Sequence, residues 1–106
     1  MVMLFNPQCE HCQHETEDLI KNIDQFKHIQ VLMVTSMPFD SMMNFRERYG
    51  LAKYKNIVVS RDENFTLISF YAINALPTIA LYNKNKEFIK LGEGSMKIDD
   101  VLKVYQ

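Results

Sequence analysis

The residues of this chain whose type and spacing can do chemistry are its two cysteines, which stand two apart in Cys9-Glu10-His11-Cys12. Two thiols in 106 residues do not make the disulfide framework of a secreted mini-protein, which uses four or more. A C-x-x-C serves either reversible dithiol–disulfide exchange or metal binding, and its context decides between them. Here it follows a short apolar run and opens an amphipathic stretch, a strand-to-helix junction that favours the redox reading. At a helix N-terminus, free backbone N–H groups and the positive end of the macrodipole stabilise a thiolate, so Cys9 is the expected exposed nucleophile. Cys12, one turn inward, is the expected resolving thiol that attacks a mixed disulfide at Cys9. A zinc site is the competing reading. Cys9, Cys12 and His14 would supply only three of the four ligands of a closed site, and no second C-x-x-C and no H-x-x-x-H is present. His14 and His28 therefore read as solvated surface residues, and no metal is expected.

The elements that must position this dithiol follow from apolar periodicity. Val2 to Phe5 is an apolar run stopped by Asn6-Pro7, which predicts a buried strand. From Cys9 to Phe26, the residues Cys12, Thr16, Leu19, Ile20, Ile23 and Phe26 recur at three- and four-residue steps, which predicts one amphipathic helix. Ile29 to Thr35 is a second buried strand, parallel to the first through a right-handed crossover. Asp40 or Ser41 is placed to cap a helix through Met42, Phe45 and Tyr49 that ends at a left-handed Gly50. Asn56 to Ser60 suggests a short extended piece, and Asn64 to Ala72 a short helix with Phe65, Ile68 and Tyr71 or Ala72 inward. Pro77 precedes a strand, Thr78 to Tyr82, and Glu87 to Leu91 returns as its hairpin partner. Ser95 is placed to cap a last helix with Ile98, Val101, Leu102 and Tyr105 on one face. The order predicts an α/β, thioredoxin-like fold: a four-stranded mixed β-sheet with flanking helices.

Composition agrees with a single packed domain over residues 1–106: 47% hydrophobic, 24% charged and no low-complexity segment. A formal net charge of −1 with both signs scattered leaves no basic footprint, so no nucleic-acid partner is expected. The longest apolar runs fall far short of the roughly 20 residues of a membrane-spanning helix, so the domain is not expected to insert directly into a membrane. The chain enters its first strand almost at once, which leaves open that 1–106 is the C-terminal part of a longer chain.

The run Leu4-Phe5-Asn6-Pro7-Gln8-Cys9-Glu10-His11-Cys12-Gln13-His14-Glu15, with the later Ala75-Leu76-Pro77-Thr78-Ile79, resembles the thioredoxin-like proteins of the TlpA and ResA kind. The element order agrees over nearly the whole chain, but only the C-x-x-C-x-x-E run and the Pro-Thr pair are motif-grade. The resemblance implies a thiol–disulfide oxidoreductase of extracytoplasmic location, periplasmic or membrane-tethered. Glu15 matches the glutamate those families carry three residues after the second cysteine, and the resemblance implies that it moves protons on and off Cys12. Positions 12 and 15 share a helix face, and a partly buried carboxylate of raised pKa can take up a thiol proton. The other reading of Glu15 is a favourable charge in the first helical turn. Position 3, where cytoplasmic thioredoxins resemble one another in a buried aspartate, is Met3. Pro77 matches the family's cis-proline beside the dithiol, and the backbone of Leu76 before it would pair with an extended substrate. His11 matches the histidine of the periplasmic oxidants, where a cationic imidazole stabilises the nucleophile's thiolate while Glu10 pulls the other way, so both are redox-tuning residues. Two departures are plain. Gln8 replaces the usual tryptophan, and no proline lies between the cysteines.

The expected function is disulfide exchange with protein cysteines, of the reductase or isomerase type, by a monomer without a cofactor. Its partners are protein thiols or disulfides and a redox partner that the residues do not identify. Two alternatives are a thiol-dependent peroxidase and a copper-binding thioredoxin-like chaperone using the thiols with a distal histidine. The first lacks the proline and threonine that a Pro-x-x-x-Thr-x-x-Cys pattern requires, and the second resembles carriers with three residues between the cysteines.

Overall fold

The structure, a computed structural model, describes residues 1–105. Three strands open the chain in alternation with helices: β1 (Val2–Leu4), α1 (Glu10–Lys21), β2 (Val31–Thr35), α2 (Phe39–Arg48) and β3 (Ile57–Arg61). A short helix α3 (Thr66–Phe70) leads to the hairpin β4 (Thr78–Tyr82) and β5 (Phe88–Glu93), and α4 (Ile98–Val104) closes the chain. The sheet runs in the order β3-β2-β1-β4-β5 and is mixed: β1 pairs parallel with β2 and antiparallel with β4.

The sheet has five strands where the sequence predicts four. The extra strand is the extended piece after Asn56, which pairs parallel with β2 in an unbroken register from Val31↔Ile57 to Thr35↔Arg61. Asn56 sets that register locally. Its Nδ2 donates to the carbonyls of Phe26 and Ile29 at 2.8 and 3.1 Å, tying the start of β3 to the approach to β2.

Both crossovers, β1-α1-β2 and β2-α2-β3, step in the same direction across the sheet, so right-handedness puts α1 and α2 on one face. That face carries the main core. Met3, Met33, Ile79 and Leu81 of the sheet pack with Leu19 of α1, Phe26, Phe45 of α2 and Val101 of α4. Fully burying each Leu, Ile or Phe side chain contributes about 1.5–3 kcal/mol, so this layer holds α1 and its cysteines against β1. The other face is crossed by the α3 segment, where the Tyr71 and Tyr82 hydroxyls share a hydrogen bond.

Several local expectations shift. The single helix expected over Cys9 to Phe26 ends at Lys21 and resumes as a 3₁₀ turn over Ile23–Phe26. Asn22 stands at that break as the C-cap of α1, its backbone N–H and its Nδ2 both donating to the Asp18 carbonyl, at 3.2 and 2.8 Å. Pro38, not Asp40 or Ser41, occupies the N-cap of α2, and Lys97, not Ser95, that of α4. Phe65 is turned outward and stands at the N-cap of α3 with φ 56°. The carboxylate of Asp62 accepts from the Thr66 and Leu67 N–H groups at 3.0 and 2.7 Å, so α3 is capped from outside its own first residue. Gly50 has φ 59°, the left-handed end expected after α2.

Candidate active site

β1 delivers the chain to the dithiol through a turn built on Asn6. The Asn6 carbonyl accepts from the Cys9 N–H at 3.0 Å and its Oδ1 accepts from the Gln8 N–H at 2.9 Å, an Asx-type turn. Gln13 of α1 reaches back, its Nε2 donating to the Pro7 carbonyl at 3.0 Å. Cys9 is the N-cap of α1, with extended backbone (φ −82°, ψ 123°), and its carbonyl accepts the Gln13 N–H at 3.0 Å. This geometry leaves Cys9 half-buried at the mouth of the site and sends Cys12 inward, where it is fully buried. Both thiols are free and lie 3.2 Å apart. Cys12 is therefore within reach of whatever forms a bond with Cys9.

Burial pushes the Cys12 thiol up to about 12 from its ordinary 9.0. A backbone hydrogen bond from Asn6 opposes this, while the hydrogen bond and charge of Cys9 and the charge of Glu15 add to it. Glu15 is itself buried, 3% exposed, on the inward face of α1. Burial raises its pKa above the ordinary value, a backbone hydrogen bond from Met96 lowers it and the charge of Asp18 raises it. The Met96 N–H donates to Glu15 Oε1 at 2.8 Å, across 81 residues of sequence. A solvated carboxylate in the first helical turn would show neither the burial nor the long-range partner.

The remaining candidates divide by distance from the sulfurs. Leu76 is half-buried, and the Cys9 Sγ donates to its carbonyl at 3.7 Å. The Leu76–Pro77 peptide is cis and Pro77 is buried at the head of β4. Glu10 and His11, the two residues between the cysteines, are both exposed on the first turn of α1 and face solvent. His14 and His28 are exposed as well. Among the described residues no cluster of three or more His, Cys, Asp or Glu side chains is placed to hold a metal ion, and no helix is long and apolar enough to cross a membrane.

Four residues that shape the site escape a reading by pattern. Asn6 reads only as a strand stop, although Asn-Pro is an Asx-turn signal and could have marked it. Met96 acts through its backbone N–H from the far end of the chain, which no local spacing announces. Ile68 and Ile73 form, with Asn6, Asn74 and Leu76, a groove of about 370 Å³ that opens beside Cys9.

No family model matches the chain. Over 91 residues it is 28% identical to the thiol–disulfide oxidoreductase ResA of Halalkalibacterium halodurans, a match covering 83% of this chain and 49% of that protein. The chain thus spans about half the length of this curated relative. Among solved structures, a thioredoxin-type protein from Neisseria meningitidis superposes with a TM-score of 0.81 at 23% identity, covering 98% of this chain and 69% of the other. A secreted disulfide oxidoreductase of Mycobacterium tuberculosis superposes with a TM-score of 0.78 at 15% identity, covering 96% and 75%. At such identities the structural likenesses establish the fold. The chain therefore has a thioredoxin fold, and over most of its length its sequence is similar to that of ResA.

Proposed function

We propose that this chain is a thiol–disulfide oxidoreductase that exchanges disulfides with protein cysteines, acting as a reductase. The observation that carries the reading is a half-buried Cys9 at a helix N-terminus, 3.2 Å from a fully buried Cys12, with both thiols free. In the reducing direction, the Cys9 thiolate attacks one sulfur of a substrate disulfide, forms a mixed disulfide and expels the other sulfur as a thiolate. Cys12 then gives its proton to the Glu15 carboxylate and attacks Cys9 Sγ. The second substrate thiolate leaves, and a Cys9–Cys12 disulfide remains. Two electrons pass to the substrate, and the proton held by Glu15 is returned to solvent or to the leaving thiolate.

Glu15 is the general base in this scheme, supported by its burial beside Cys12 and its raised pKa. Leu76 and Pro77 present the backbone that an extended substrate would meet, supported by the closeness of the Leu76 carbonyl to Cys9 Sγ. Glu10 and His11 tune the potential through the solvent-facing side of the first turn. The dithiol works on the extracytoplasmic side, a reading supported by the secreted neighbour from Mycobacterium tuberculosis.

The test is trapping together with turnover. Reduced protein should cleave a protein disulfide such as those of insulin, and Cys12→Ser should accumulate mixed disulfides at Cys9 because the resolving attack is gone. A Cys9–Cys12 potential near about −270 mV supports the reducing direction, and one near about −120 mV assigns the dithiol to oxidation instead. Absence of both turnover and trapped species would refute the reading.

A further inference from the structure

We infer that the turn between β5 and α4 is the positioning element of the dithiol's proton transfer: its Met96 N–H occupies Oε1 of Glu15 and so directs the Cys12 proton to Oε2. The inference rests on the reading of Glu15 as the base for Cys12 and adds the group that orients it. Met96 is a positioning residue that acts through its backbone.

The Met96 N–H, at 2.8 Å from Oε1, is the one hydrogen bond that the Glu15 side chain makes among the described residues. An N–H can only donate, and in a carboxylic acid the carbonyl oxygen is the better acceptor. The bond therefore keeps Oε1 in the carbonyl role and leaves Oε2 to carry the proton. Cys12 and Glu15 lie on the buried face of α1, one turn apart, and the charge of Glu15 acts on Cys12. In the transfer the Cys12 S–H bond breaks and an Oε2–H bond forms. The electron pair stays on sulfur, which attacks Cys9 Sγ.

The turn is built to hold that N–H in one direction. Gly94 has φ 76°, and a Cβ there would meet no atom within 4 Å, so the glycine serves the backbone path and not a lack of space. The Met96 side chain folds back over Gly92, its Cβ and Sδ each 3.6 Å from where a Gly92 Cβ would stand and its Cε overlapping that position. Glu93, just before the turn, accepts from the Asn74 N–H at 3.2 Å. Just after it, Ile98, Val101 and Leu102 seat α4 in the core. Of the charged groups nearby, Asp18 is the one whose charge reaches Glu15, while Glu93 of β5 and Lys97, Asp99 and Asp100 at the start of α4 are all exposed. The Met96 bond thus favours the ionised carboxyl against both burial and Asp18.

The test replaces the Met96 N–H by an ester oxygen, using the α-hydroxy analogue of methionine, which deletes the donor and keeps the side chain. Two readouts are followed against pH: single-turnover resolution of a mixed disulfide at Cys9, and the carboxyl resonance of Glu15 by NMR. In the ester protein both midpoints should move up by about one to two pH units, the worth of a hydrogen bond to a charged group, while the attack by Cys9 keeps its rate. Gly94→Val, which resists a positive φ, should move both midpoints the same way, and Gly94→Asn, which tolerates it, should leave them in place. Equal profiles for these two variants would overturn the part given to Gly94. Unmoved midpoints in the ester protein would overturn the inference, while slow resolution in Glu15→Gln leaves the base reading standing. A carboxyl midpoint that moves without the resolution midpoint would overturn it as well. Wild-type resolution in Glu15→Gln would remove the base reading and the inference with it.

Discussion

Replacing Glu15 with glutamine should slow one half-reaction and spare the other. The size of the effect follows from the burial of Cys12. A thiol pushed up to about 12 from 9.0 has about 10³ less thiolate at neutral pH than an unperturbed one. Its greater intrinsic nucleophilicity returns a factor of about 20, taking a Brønsted slope of about 0.45. A deficit of about 50-fold remains, within reach of a positioned base, which typically contributes about 10² to 10⁴. Glu15→Gln keeps an oxygen to accept the Met96 N–H and keeps the side-chain volume, so it removes the base with little else. We expect resolution of a mixed disulfide at Cys9 to slow by about 10² while the first attack changes less than about threefold. The assay is single-turnover stopped flow, in which release of the first thiol reports attack by Cys9 and release of the second reports attack by Cys12. In the wild type, resolution should rise with pH through the elevated pKa of Glu15 and then level, whereas in the variant it should keep rising with hydroxide. Wild-type resolution in Glu15→Gln would refute the base assignment, leaving Glu15 as a buried hydrogen-bond partner of Met96.

Alkylation of the reduced protein should modify half-buried Cys9 well before fully buried Cys12, as read by peptide mass mapping, and first labelling at Cys12 would reverse the two thiol roles. The raised folded-state pKa of Glu15 makes its contribution to stability fully present below the unfolded value and lost as pH rises through the folded one. Wild-type stability should therefore decline relative to Glu15→Gln as pH rises from about 4 towards neutrality, and parallel urea-midpoint profiles of the two proteins would contradict it. Gly50→Ala forces a Cβ into a left-handed position, φ 59°, 2.7 Å from Lys53 Cε. The lysine chain can swing aside but the backbone cannot, so a loss of about 1–2 kcal/mol is expected by urea denaturation, and an unchanged midpoint would show that the turn relaxes.

Much of this molecule is written in short-range pattern. The apolar run ending at Asn6-Pro7, the helical spacing from Cys12 to Leu19 and the hairpin after Pro77 each constrain a few neighbouring residues, and local sterics and burial suffice to read them. That is why the strand-to-helix placement of Cys9 and Cys12, and with it the thioredoxin-like architecture, is legible before any coordinates. The fifth strand shows in the sequence only as a short extended piece, because Ile57 to Arg61 alternates weakly and becomes a strand through its register with β2 and the side chain of Asn56. Asn22 likewise stands at the early end of α1 with a side-chain bond to Asp18 that periodicity does not weigh.

The environment of the dithiol belongs to the tertiary structure. Sequence spacing places Cys12 and Glu15 on one helix face, but whether that face is wet or dry depends on what packs over it. The backbone of Met96, 81 residues distant, supplies the partner that holds the Glu15 carboxyl in the interior. The groove beside Cys9 arises in the same way, from Ile68 and Ile73 brought against Asn6 and Leu76 by the chain's return into β4. A sequence can name the groups that titrate and react. Desolvation and through-space neighbours set how readily they do so, and both exist only once distant segments have closed around them.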